Sequence, residues 1–387
     1  AMALAAFYLV MGRLVFATQP KGLALLAEAY AIVGVIFGTL AIPLGLEGQW
    51  TGAAWAVEAA GMYWLGARQG RVYARAFSFL VFAGAVWKLL EATQLDAAAG
   101  HPLLQGSVIG PLLVAASAFA MWAMHRRAKL DEGDSLEAIV GSALPWLGMA
   151  ALTLLLWQWF TPPWAAAATA VLASVTFAVA VRFALLPLAH VSFGMQALAV
   201  VGFIATLHRT GDGLDARQAF ESGWQGAAAA CLIALSVLGS AAWSMLQAHR
   251  AALARGVQPV WSTGNVVGVI AGVGLLHLAM LFQISLTQAA LLWPLTAVVV
   301  LWVALRMAHL PLAAFAAVLH AVSAILFIVL AEMGGDMRVL RPAFGHLGFW
   351  TPVVLGLTAL LAGDWLRDEA RPRTGEPTGV ARKRWVN

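Results

Sequence analysis

The chain has 387 residues, of which 62% are apolar and only 11% are charged, with a formal net charge of +5. Soluble domains carry roughly 25% charged residues, so a water-soluble fold is excluded whatever its domain count. The single cysteine, Cys231, and the high apolar fraction exclude a disulfide scaffold, a disordered chain and a collagen-like chain. Mean hydropathy is +0.83, and the apolar runs last about 20 residues. Barrel strands alternate over roughly ten, so the expected class is an all-α, polytopic transmembrane helix bundle.

Thirteen helices are expected, over residues 2–18, 22–45, 51–67, 72–93, 104–124, 138–160, 163–181, 184–207, 218–247, 261–283, 286–305, 309–331 and 347–366. The chain opens on Ala1, already inside an apolar segment and without a charged leader. It therefore reads as a fragment or processed form whose first helix is truncated. The connections are too short to hold a soluble domain. The Arg126–Glu137 stretch reads as a solvated loop, and the tail after Arg367 as a disordered basic segment.

Basic residues set the expected orientation. Alternate connections and the C-terminal tail hold 17 of the 23 Lys and Arg, among them Lys21, Arg68, Arg71, Arg75, Arg126, Arg127, Arg182 and Arg306. The opposite connections hold only Arg209, Arg217, Arg338 and Arg341. The positive-inside rule then places the C-terminus in the cytoplasm. The pI near 9.8 thus reports membrane orientation. Nucleic acid is not an expected partner, because no basic patch joins an aromatic platform on a soluble face.

The chain also matches itself. Val181–Ala189 aligns with Leu305–Ala313 at an offset of 124, which pairs Gly211-Asp212 with Gly335-Asp336. An offset of 114 to an earlier copy aligns Gly34, Gly148 and Gly272, and likewise Arg68, Arg182 and Arg306. The reading is a residual N-terminal helix (1–20), three tandem four-helix units (22–124, 138–248, 261–366) and a basic cytoplasmic tail (367–387). Four is an even number, so the three repeats are parallel, unlike the inverted pairs of many transporters.

Ionisable groups inside spans are functional candidates by default. Glu28 and Arg13 lie at similar depth on neighbouring helices, and so do Glu58 and Lys88. Each acid is expected to pair with its basic neighbour to fix helix register, or, for Glu58 and Lys88, to form part of an outward-facing polar pocket or proton relay. His277 and His320 are buried-histidine candidates, with Gln196 in register with His320. Asp212, Asp336, Arg338, Arg341 and His346 lie on outer connections, where acids and histidine suit acid–base chemistry on a lipid-linked substrate. Clustered His or Cys ligands are lacking, so no metal is expected, and no nucleotide or dinucleotide motif calls for a cofactor.

Two stretches, Leu26–Leu44 (LAEAYAIVGVIFGTLAIPL) and Trp50–Gly61 (WTGAAWAVEAAG) continuing to Gln69, resemble bacterial multi-pass membrane proteins grouped as domain of unknown function 2339. The resemblance centres on residues 22–80, and Glu28 and Glu58 fall on acidic positions of the pattern. Val57 and Met62-Tyr63 stand where leucine and a plainer apolar run are expected. The resemblance implies a bacterial inner-membrane protein with no established activity. Three functions remain open: a transport or cell-envelope assembly component handling lipid-linked or polysaccharide material, a scaffold organising partner proteins, or a membrane-embedded transferase or hydrolase at the outer face. The absence of a catalytic signature favours the first two. Expected partners are membrane lipids, with a lipid-linked glycan and a protein partner in the same membrane as further candidates.

Overall fold

The structure is a computed structural model that describes residues 2–18, 23–45, 48–92, 106–127, 135–209, 223–254, 263–306, 309–332 and 343–370. Among them are thirteen α-helices: α1 Met2–Thr18, α2 Ala24–Gly45, α3 Gly48–Gln69, α4 Val72–Ala92, α5 Gly106–Arg127, α6 Ser135–Trp159 and α7 Pro162–Arg182. There follow α8 Leu186–Arg209, α9 Trp224–Ala254, α10 Thr263–Met280, α11 Leu286–Arg306, α12 Leu310–Glu332 and α13 Leu347–Ala370. A short 3-10 turn, Ala343–Gly345, precedes the last helix. Ten of these helices, α4 through α13, are long and apolar enough to cross a bilayer, while α1 and α2 contribute shorter apolar segments. The thirteen expected helices are present, and ten of them have the length and apolarity of spans.

One boundary matters for chemistry. Arg126 and Arg127 form the last turn of α5, and Glu137 lies in the first turn of α6. Neither end of the supposed Arg126–Glu137 loop is therefore a loop. Cations at a helix C-terminus and an acid at a helix N-terminus both oppose the helix dipole, which extends each helix by about one turn.

Side-chain distribution matches a lipid solvent. Large aliphatic residues such as Leu80, Val201, Ile325 and Leu360 stand on exposed helix faces, whereas the buried set is dominated by alanine. Small residues let helix backbones approach closely where no water drives association.

The chain divides into two compact units, residues 1–161 with 186–191, and residues 162–185 with 192–387. In the first, α1 packs on α2, α3 on both α4 and α5, and α5 on α6. In the second, α7 packs on α9, α9 on α10, and α11 on both α12 and α13. Phe177 of α7 meets Phe193 of α8 at 5.2 Å between ring centroids. A cluster of Leu301, Ala304, Leu312, Ala313 and Ala316 forms part of the second unit's core, with Val269 and Phe315 packed against it.

Glycines 114 and 124 positions apart stand at close helix contacts. A Cβ on Gly34 would meet Leu9 Cγ at 2.8 Å, one on Gly148 would meet Phe119 Cε2 at 3.0 Å, and one on Gly272 would meet Leu238 Cγ at 2.5 Å. Each of these glycines thus admits the helix immediately before its own. Helices α7 and α11 both begin and end 124 residues apart, and α8 and α12 begin 124 apart. Arg68 lies over the Trp64 ring at 5.5 Å and Arg306 over the Trp302 ring at 5.2 Å, one helical turn back in each case. Such cation–π contacts anchor the arginine at the helix end.

Candidate functional site

A group of buried polar side chains in the first unit lies where α3 and α5 end and α4 and α6 begin. Gly70 takes the left-handed conformation (φ +67°), and the Arg71 amide donates to the Gly66 carbonyl at 2.9 Å. This six-residue closure is the Schellman cap of α3. It turns the chain straight into α4, and Gly66 is bare where a Cβ would fall 2.9 Å from Arg75 Cγ and 3.0 Å from its amide. The first turn of α4 is thereby pressed onto the last turns of α3, and Arg75 is carried to the inside.

There Arg75 Nε donates to both Glu137 oxygens, at 2.9 and 3.1 Å. The Tyr63 hydroxyl donates to Glu137 Oε1 at 3.0 Å and lies 3.1 Å from His125 Nδ1. Tyr63 is fully buried, and Arg75 and Glu137 keep 7% and 8% of their surface exposed. A tyrosine has one hydroxyl hydrogen, here directed at Glu137. His125 Nδ1 must then carry a proton and donate to the tyrosine oxygen. The other edge of the imidazole rests on Gly141, where a Cβ would overlap the ring. Tyr63 is held from its other face by Phe79, at 5.2 Å between ring centroids. A buried carboxylate with three donated hydrogen bonds and one guanidinium partner is neutralised and satisfied.

None of these four residues stood out as a site in the sequence. Arg75 counted only as a topology marker and Glu137 as the end of a loop. The usable signal was Tyr63, a phenol inside an apolar run, together with an acid at the start of α6.

The sequence candidates are arranged differently from expectation. Glu28 is exposed on α2 and pairs with Arg71 Nη2 at 3.3 Å. Arg13, exposed on α1, makes no ion pair among the described residues, so the expected Glu28–Arg13 pair is corrected to Glu28–Arg71. Lys88 Nζ pairs with Glu91 at 2.7 Å on its own helix. Equal depth does not decide pairing, because the rotation of each helix sets which side chains face one another. Glu58 is half-buried on α3.

His277 is buried and bridges two helices. Its Nδ1 lies 2.8 Å from the Val273 carbonyl and its Nε2 lies 2.8 Å from Thr296 Oγ1 of α11. Trp293 and Phe315 flank the ring edge-on, at 6.3 and 6.4 Å. His346 accepts from the Gly348 amide at 3.0 Å and so caps α13. Asp212, Asp336, Arg338 and Arg341 lie outside the described residues. Among the described residues no three His, Cys, Asp or Glu side chains gather as a metal site requires.

Two cavities in the second unit are lined in part by residues 124 positions apart. One of about 610 Å³ runs between α7 and α9, lined by Ser174, Phe177, Arg182, Leu235, Gly239 and Trp243. Another of about 480 Å³ lies among α11, α12 and α13, lined by Val298, Leu301, Ala359, Gly363 and His320. Ser174 and Val298, Phe177 and Leu301, Leu235 and Ala359, and Gly239 and Gly363 are all separated by 124 positions. Ser174 and Ser240 are polar residues of the first cavity's lining, and behind them Gln196 donates to Ser240 Oγ at 2.6 Å and to Ser174 Oγ at 3.3 Å. In the second cavity the position equivalent to Gln196 is His320. A third cavity, about 480 Å³ and lined by apolar side chains, lies among α9, α10, α11 and the start of α12.

Long apolar helices, lipid-facing aliphatic surfaces and alanine-rich cores define a polytopic helical membrane protein. The model of the family described as predicted membrane protein (DUF2339) matches residues 1–258, and the chain belongs to that family. The match extends well beyond residues 22–80, where the resemblance is plainest in the sequence. Neither the curated proteins nor the solved structures contain a match to the chain.

Proposed function

We propose that the protein is a bacterial inner-membrane component, in transport or envelope assembly, that holds the chain of a lipid-linked, anionic substrate. The observation that carries this reading is the cavity between α7 and α9. Its walls are apolar along Phe177, Leu235 and Trp243, and Arg182 stands at one end. From Ser174 to Arg182 the helix rises by about 12 Å, long enough to seat several methylene units beside a cation that pairs with phosphate. A cavity lined by Val298, Leu301, Ala359 and Gly363, 124 positions on, supports parallel four-helix repeats, with a groove in the second and the third. The equivalent glycines and helix bounds support the same division. The excess of basic residues on alternate connections supports a cytoplasmic C-terminus, which a reporter fused after residue 387 checks.

The test uses the full chain in nanodiscs of phosphatidylethanolamine and phosphatidylglycerol that contain a diazirine-bearing phosphatidylglycerol. Cross-links concentrated on α7 and α9, competed by unlabelled phosphatidylglycerol and lost in Gly239→Trp, support the reading. Labelling spread evenly over the lipid-facing helices, unaffected by Gly239→Trp, overturns it in favour of a scaffold.

A further inference from the structure

We propose that His125, Tyr63 and Glu137 form a proton-binding relay, in which one proton taken up at His125 ends on the Glu137 carboxyl and opens its ion pair with Arg75. The inference rests on the first unit alone and is independent of the lipid reading above.

The three groups make an unbroken chain of hydrogen bonds, 3.1 Å from His125 Nδ1 to the Tyr63 oxygen and 3.0 Å from there to Glu137 Oε1. His125 is the most accessible member, with 14% of its side chain exposed against 8% for Glu137 and none for Tyr63. Among the described residues, the ionisable groups that face the imidazole from the helices packed around it are Tyr63 of α3, Arg75 of α4 and Glu137 of α6. On its own helix, Arg126 is turned over the Trp122 ring at 5.1 Å. Arg71, on the α3–α4 turn, is paired with Glu28.

The step balances without a further reactant. A proton from water adds to His125 Nε2, the Nδ1 proton passes to the Tyr63 oxygen, and the Tyr63 hydroxyl proton passes to Glu137 Oε1. Histidine ends neutral as its Nε2–H tautomer, tyrosine ends neutral, and Glu137 becomes a carboxylic acid. The two hydrogen bonds of the relay survive with their direction reversed: Glu137 now donates to Tyr63, which donates to His125 Nδ1. What changes is charge. Glu137 no longer carries a negative charge toward Arg75, and the tie between the first turns of α4 and α6 is weakened to a hydrogen bond between an ion and a neutral group. Nothing larger than a proton fits the chain itself, since Tyr63 is sealed and the imidazole lies against Gly141 so closely that even a methyl group would overlap it.

The experiment uses the full chain in phospholipid nanodiscs with 15N-labelled histidine, His125 being assigned among the nine histidines by difference against His125→Asn. On acidification His125 is expected to change from the Nδ1–H to the Nε2–H tautomer. Over the same pH interval a protonated-carboxyl band should appear in the infrared difference spectrum. Glu137→Gln should remove the band completely. Tyr63→Phe keeps the ring packing and the Arg75–Glu137 pair but cuts the chain. In that variant His125 should titrate alone to an imidazolium, with no carboxyl band in that interval. The proposal is overturned if wild-type His125 becomes an imidazolium while Glu137 stays ionised, or if the tautomer change persists unaltered in Tyr63→Phe.

Discussion

Replacing Arg75 with methionine removes the cation from the buried cluster while keeping an unbranched side chain of similar reach. Glu137 would retain one donor, Tyr63 at 3.0 Å, and would lose both contacts from Arg75 Nε, at 2.9 and 3.1 Å. Both side chains of the pair are only 8% exposed, so solvent screening does little to soften the loss. Breaking a buried ion pair by deleting one partner costs about 3–5 kcal/mol. An ordinary interhelical hydrogen bond in a membrane protein contributes about 0.6 kcal/mol. The two accounts therefore differ several-fold and are easily told apart. The double variant Arg75→Met/Glu137→Met removes both charges. Tyr63 is then free to donate to His125 Nδ1, and stability should return to within about 1–2 kcal/mol of wild type, a strong positive coupling. The assay is reversible unfolding in mixed micelles with rising dodecyl sulfate, followed by circular dichroism. A cost below about 1 kcal/mol for Arg75→Met, or a double variant as unstable as the two singles added together, would refute the claim that this ion pair ties α4 to α6.

Two further outcomes follow from local geometry. Gly272→Ala should destabilise by about 1–3 kcal/mol, because the new Cβ would lie 2.5 Å from Leu238 Cγ and 3.3 Å from the Ala234 carbonyl. Gly356→Ala, with nothing within 4 Å, should leave the same thermal-unfolding midpoint unchanged or slightly raised. His309 sits between α11 and α12, 1% exposed, where its Nδ1 accepts from the Leu312 amide at 3.1 Å as an N-cap. Burial holds its pKa below the ordinary value of 6.5, so the unfolded chain binds the extra proton more readily than the folded one. The stability it confers is complete above pH 6.5 and falls as pH drops from there toward the lowered folded value. His309→Asn keeps a capping acceptor without a titrating ring, so the difference in unfolding midpoint between wild type and variant should shift in the variant's favour on acidification. A difference that stays constant from pH 8 to pH 5 would count against the capping role.

Much of this protein is determined by its sequence alone. Class and helix positions are local properties: a bilayer demands about 20 apolar residues per span and internal satisfaction of every backbone polar group. Thirteen helices could therefore be placed, most of them to within a few residues. Family membership was legible too, from Leu26–Leu44 and Trp50–Gln69. Charge pairing was not. Glu28 and Arg13 share a depth, yet Glu28 faces Arg71, and Lys88 finds Glu91 one turn along its own helix. Neighbours three residues apart on one helix are close by construction, whereas a partner across a helix interface depends on how both helices are rotated. The cluster of Tyr63, Arg75, His125 and Glu137 shows the same limit more strongly. Its members come from four helices and span 74 positions between Tyr63 and Glu137, and no spacing rule joins them. Only tertiary packing brings them together: the bare flank of Gly66 lets α4 close on α3, and Gly141 makes room for the imidazole.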